Sequence, residues 1–97
     1  MKERRIDSRL SISSPLRYQF KGSQRFGNSI GRDISPGGIG FVSDEFFPVS
    51  TQLVFEVQHP RTQQLIKAVG EIAWISSKAH SEKFNVGAKF LGPPLPV

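Results

Sequence analysis

The 97-residue chain contains no cysteine, which excludes a disulfide framework, a thiolate metal site and a cysteine nucleophile. It also lacks long apolar runs; none approaches the roughly 20 residues that a membrane-spanning helix needs. Met1 to Ser14 is charged and holds no apolar core of the kind that marks a signal peptide. A soluble, cytoplasmic protein is therefore expected. The two histidines, His59 and His80, stand far apart and show no metal-ligand spacing. No G-x-S-x-G nucleophile elbow occurs, and no helix follows the glycines at 37–40, so they form neither a P-loop nor a dinucleotide fingerprint. No catalytic residue, metal or cofactor is assigned, and an enzyme is not expected.

What is present suits one small folded domain. Apolar residues make up 37% of the chain and eight are phenylalanine, which argues against disorder and supports a single core. The net charge of +5 is concentrated at one end. Residues 1–32 hold eight Lys/Arg against Glu3 and Asp7, whereas residues 33–97 hold five against six acidic groups. A basic segment of this kind suits a compact polyanion better than a long nucleic-acid groove, which needs charge spread across the fold.

Period-two alternation dominates the pattern. Leu16, Tyr18 and Phe20 share one face of a first strand, and Leu53, Phe55 and Val57 share one face of another. Further strands are expected over 29–35, 39–42, 64–75 and 84–90. The long strand over 64–75 places Ile66, Ala68, Gly70, Ile72 and Trp74 together, which predicts a buried tryptophan in preference to one that stacks on a base. Loops are expected over 21–28, 59–62 and 76–83, and a short helical turn over part of 43–50. Pro36-Gly37-Gly38 reads as a tight turn with exposed backbone N–H groups, in which the glycines can accept positive φ. Six short strands without a helix of three turns predict an all-β fold, a small six-stranded antiparallel barrel. Residues 1–14 then form a flexible basic arm, 15–91 the barrel and 92–97 a proline-rich tail without a long C-terminal helix.

Two motifs carry the chemistry. Arg5-Ile6-Asp7-Ser8-Arg9 sets two guanidinium forks four residues apart, suited to phosphate oxygens or the O6/N7 edge of guanine. Asp33-Ile34-Ser35-Pro36-Gly37-Gly38 stands two dozen residues farther on. Asp33 and Ser35 alternate onto one strand face, where a carboxylate can accept from guanine N1–H and N2–H and a hydroxyl can donate to phosphate. Gly37 and Gly38 let a ligand approach the backbone without a Cβ in the way. The competing explanations are surface arginines without a partner and a turn closed by Asp33 or Ser35.

The pair R-x-x-x-R and D-x-S-x-x-G, with Val69-Gly70-Glu71-Ile72-Ala73-Trp74 and Asn85-Val86-Gly87-Ala88-Lys89-Phe90 downstream, resembles the PilZ domain family over nearly the whole chain. That resemblance implies a six-stranded barrel that binds cyclic di-GMP, with Arg5 and Arg9 closing over the ligand. It also implies that Gly87 leaves room for a guanine and that Lys89 approaches a phosphate. An arginine in the place of Arg4 is associated in that family with two intercalated cyclic di-GMP molecules rather than one. The chain holds no effector domain, so the signal is expected to pass to a partner protein. The alternatives are a nucleic-acid-binding barrel of the OB or cold-shock kind, and a PilZ-like adaptor acting without ligand. The largely inward phenylalanines and the absence of an RNP-type sequence speak against the first; the intact motifs speak against the second.

Overall fold

Apolar residues at every second position need a shared interior, and with no helix among the described residues to cover a sheet face, closing the strands on themselves supplies one. In the computed structural model, which describes residues 10–93, the strands do so. Strands β1 (Leu10–Phe20), β2 (Phe26–Ser35), β3 (Gly38–Ser43), β4 (Gln52–Gln58), β5 (Leu65–Ser77) and β6 (Phe84–Phe90) form a closed antiparallel barrel in the order β1-β2-β3-β6-β5-β4. Leu16, Tyr18, Ile34, Ile39, Phe41, Leu53, Phe55, Val57, Ile72, Val86 and Ala88 fill the interior. Burying each large apolar side chain contributes about 1.5–3 kcal/mol.

The β3–β4 connection forms no helical turn. The Ser43 hydroxyl accepts the Glu45 amide at 2.8 Å and donates to the Glu45 carbonyl at 2.9 Å, tying a tight turn instead. That turn delivers Phe47 into the barrel beside Tyr18 (ring centroids 5.2 Å) and Phe20 (5.8 Å), closing one end. The Tyr18 hydroxyl, beneath it, donates to Glu45 at 2.7 Å, and Arg25 pairs with the same carboxylate. Burial, and after it the Glu45 contact, pushes the Tyr18 hydroxyl up to about 12. Burial acts to raise Glu45, but the hydrogen bonds from Tyr18 and Arg25 and the guanidinium charge hold it below its ordinary value.

The first strand begins at Leu10, inside the segment expected to be an arm. Leu10 and Ile12 pack against the core while Ser11 and Ser13 point away. Ser11 and Ser13 are thus the outward half of an alternating strand. Residues 1–9 and 94–97, which hold the rest of that arm and most of the proline-rich tail, lie outside the described residues. After β6 the backbone leaves the barrel at Gly92, whose φ of +95° suits only glycine well.

Candidate functional site

A trough of about 380 Å³ crosses the outer wall of the barrel over β2, β3, β6 and β5. Its floor is set by strand register. Asp33 pairs with Gly40, Gly40 with Gly87, and Gly87 with Trp74, so four residues stand in one line across four strands. At about 4.8 Å between strands, that line is roughly 14 Å long. The middle two residues have no side chain. The outer two lean over them: a Cβ on Gly40 would lie 3.0 Å from Asp33 Oδ2, and one on Gly87 would lie 2.2 Å from Trp74 Nε1.

Two β-bulges bring the ends of this line to the surface. The register of β2 shifts between Gly31 and Asp33, leaving Arg32 as an extra residue, and that of β5 shifts between Ile72 and Trp74, leaving Ala73 extra. A bulge turns consecutive side chains toward one face and re-aims the residues beyond it. Trp74 is therefore 50% exposed rather than in the core. Strict alternation from Ile66 predicts the opposite, and the inserted residue at Ala73 is what breaks it. Arg32 comes out beside Asp33, and its Nη1 donates to Asn85 Oδ1 at 2.9 Å.

A second row lies alongside the first, from Ser35 to Gly38, Lys89 and Glu71. Ser35 is 3% exposed, and its hydroxyl accepts the Gly37 amide at 3.3 Å. Among the described residues that hydroxyl donates to no acceptor. The Gly37 carbonyl accepts the Phe90 amide at 2.8 Å, fastening the turn to the end of β6. Neither Gly37 nor Gly38 has positive φ; among the described glycines only Gly22 and Gly92 do. Gly38 is needed for space, since a Cβ there would come within 2.5 Å of the Ala88 carbonyl. Lys89 is exposed at the edge of the trough and makes no ion pair among the described residues.

The fold thus brings Asp33, Ser35, Gly37, Gly38, Gly87 and Lys89 to one trough. Over Gly87, where the resemblance implies room for a guanine, lies the Trp74 indole. Arg4, Arg5 and Arg9 lie outside the described residues. Arg9 is nevertheless joined to Leu10, which pairs with Ile34 between Asp33 and Ser35. Gly40, Arg32 and Asn85 also line the trough and were not expected there from sequence, and Trp74, expected in the core in preference to stacking on a base, lines it too. A signal for the first is present: Gly38 and Gly40 alternate with Ile39 and Phe41, a strand whose outward positions are bare. The extra residues at 32 and 73 leave no comparable mark.

Fold and trough together define a small closed barrel with an open, flat-floored, mixed-charge site on its wall. The sequence matches the PilZ domain over residues 3–96, and the chain belongs to that family. Its fold is similar to that of the inhibitor of motility MotI/DgrA of Bacillus subtilis, at 20% identity and a TM-score of 0.79, covering 95% of this chain and 44% of that one. It is also similar to the PilZ domain of YcgR from Escherichia coli with c-di-GMP, at 16% identity and a TM-score of 0.69, covering 92% and 79%. A third likeness is to the K. pneumonia MrkH–c-di-GMP complex, at 14% identity and a TM-score of 0.68, covering 94% and 46%. The chain therefore spans less than half the length of two of these three structures. No curated protein matches the chain in sequence. No helix among the described residues is long and apolar enough to cross a membrane.

Proposed function

We propose that this chain is a cytoplasmic receptor that binds cyclic di-GMP on the barrel wall and passes the signal to a partner protein, without catalysing a reaction or using a cofactor. The observation that carries the reading is the Asp33–Gly40–Gly87–Trp74 line: a carboxylate, a bare floor and an exposed indole in one row. In this reading Asp33 accepts from guanine N1–H and N2–H, and the base lies against the indole. Stacking of that kind contributes about 1–3 kcal/mol. Ser35 donates to a phosphate or base acceptor, and Lys89 meets a phosphate. Gly37 and Gly38 admit the ligand close to the backbone.

Arg5 and Arg9 supply the remaining contacts, to phosphate and to the guanine O6/N7 edge. Two facts support their part in it. The segment that bears them enters the barrel at Leu10, paired with Ile34 inside the D-x-S motif. Two of the structurally similar proteins were solved with c-di-GMP. Arg4 adds a third guanidinium, which favours two intercalated ligands, since a stacked pair carries four phosphate charges.

Calorimetric titration tests the reading. We expect binding in the micromolar range or tighter, about −8 kcal/mol or better, with near two ligands per chain, falling toward one in Arg4→Ala. GMP and a single-stranded oligonucleotide should compete poorly. No heat with cyclic di-GMP at millimolar concentration would reject the function, and a stoichiometry near one would reject the two-ligand mode alone.

A further inference from the structure

We propose that Arg32 is a further ligand-binding residue, contacting a phosphate oxygen of the bound cyclic dinucleotide, and that Asn85 is its positioning residue; this rests on the cyclic di-GMP reading above. Nothing in the R-x-x-x-R or D-x-S-x-x-G motifs points to either residue. The geometry does. Arg32 is the extra residue of the β2 bulge and emerges on the same face as Asp33. Asn85 accepts one N–H, from Nη1, and Arg32 makes no other hydrogen bond or ion pair among the described residues. Of its five guanidinium N–H donors, one is used to aim the group and the others stay open toward solvent. A cross-strand tie between exposed side chains contributes little stability by itself, and it does not require an inserted residue that breaks the β2–β3 ladder.

Position along β6 adds a second argument. Asn85, Gly87 and Lys89 alternate outward, so the Arg32–Asn85 pair lies on one side of the Asp33–Trp74 line and Lys89 on the other. Each step of two residues is about 6.8 Å. Two cations thus bracket the place where a base would lie. In a cyclic dinucleotide every guanosine carries a phosphate on both its 5′ and its 3′ oxygen, so a base in this row has an anion on either side. Among the described residues that line the trough the charged ones are Asp33, Lys89 and Arg32, so Arg32 tips their balance to positive. An arginine held by one N–H with the rest of its fork free is suited to phosphate, where paired charge-assisted hydrogen bonds form.

The test is titration of the full chain with cyclic di-GMP at low and high salt, for the unmodified protein and four variants. Arg32→Gln should weaken binding by about tenfold at low salt, the loss of one charge-assisted contact. The deficit should shrink at high salt, because an exposed ionic contact is screened whereas a structural tie is not. Arg32→Lys should recover part of the affinity, and Asn85→Ala should lose about two- to fivefold while keeping the salt dependence, as expected for a residue that only orients another. Lys67→Gln removes a cation paired with Glu56 on a different part of the wall and should change nothing. Tight binding by the unmodified chain that Arg32→Gln leaves unaltered at both salts would overturn the Arg32 assignment alone. Failure of the unmodified chain to bind would overturn the reading beneath it.

Discussion

Two regions of the outer wall are made from the same kind of strand and differ in what they can hold. Where β4 pairs with β1 and with the first half of β5, no register shift occurs, Leu16–Phe20 lying against Val57–Leu53 and Gln52–Gln58 against Glu71–Leu65. Arg17, Gln19, Glu56 and Lys67 cover that wall and leave a hollow of about 90 Å³. Over β2, β3, β6 and the second half of β5, two bulges interrupt the pairing, glycines take three outward positions, and the hollow is about 380 Å³. A closed barrel has no edge and no cleft between layers, so room for a ligand comes from deleting side chains on the wall and re-aiming those beside the gap.

Refilling the gap should therefore have the largest effect. Gly87→Val places branched carbon where the Trp74 indole lies, since even a Cβ would sit 2.2 Å from Nε1. Overpacking of this kind costs about 1–3 kcal/mol, so the barrel should still fold, while affinity for cyclic di-GMP falls by roughly hundredfold or more, about 2.8 kcal/mol. Unchanged affinity with an unchanged melting midpoint would dissolve the distinction between the two walls.

Next come the charged contacts. Arg5→Ala, Arg9→Ala and Asp33→Ala should each weaken binding by about ten- to hundredfold, as loss of a charge-assisted hydrogen bond of about 1.5–3 kcal/mol implies. Asp33→Ala also vacates the space over Gly40, so its melting midpoint should be measured in parallel. Wild-type affinity in both arginine variants would detach the N-terminal motif from the trough. Trp74→Ala should cost about tenfold, within the range for one stacked base. Arg17→Ala on the opposite wall, where the guanidinium lies 4.1 Å from the Phe26 ring centroid, should leave affinity alone.

The smallest effect concerns stability and separates the plugged end from the site. Glu45 titrates below its ordinary 4.5 in the folded barrel. Its contribution is therefore full above that value and lost as pH falls through the lower folded one. Tyr18 is shifted the other way, from 10.0 to about 12, so its contribution is full below pH 10 and lost as pH rises toward 12. Denaturation midpoints measured against pH should decline on both sides, and Glu45→Gln should flatten the acid side while leaving neutral-pH binding intact. An unchanged acid side in that variant would mean that other carboxylates govern the decline.

Residues that obey strict alternation are legible in the sequence, and residues displaced by a bulge are not. Leu16, Tyr18, Leu53, Phe55, Val57, Val86 and Ala88 are buried as their spacing predicts. Asp33 and Ser35, read from alternation as sharing a strand face, both line the trough, and Lys89 stands at its edge. Alternation misplaces Trp74 because one inserted residue, Ala73, exchanges the faces of everything after it on β5. Arg32 escapes notice for the matching reason on β2. Neither inserted residue is a glycine or proline that would announce it; both bulges answer to cross-strand partners distant in sequence. The glycines at 37 and 38 look like turn formers, whereas the neighbouring strand, not local backbone strain, requires Gly38.

Trp74 is the only tryptophan in the chain, so its emission reports on the trough without a label. The most direct test of a ligand site on this wall is a fluorescence titration of the unmodified protein with cyclic di-GMP, repeated in Gly87→Val. We predict a saturable change in emission with a midpoint in the micromolar range or below, about −8 kcal/mol or better, and its loss in the variant. Binding that calorimetry detects but that leaves Trp74 emission unchanged would place the ligand elsewhere on the barrel and contradict the assignment.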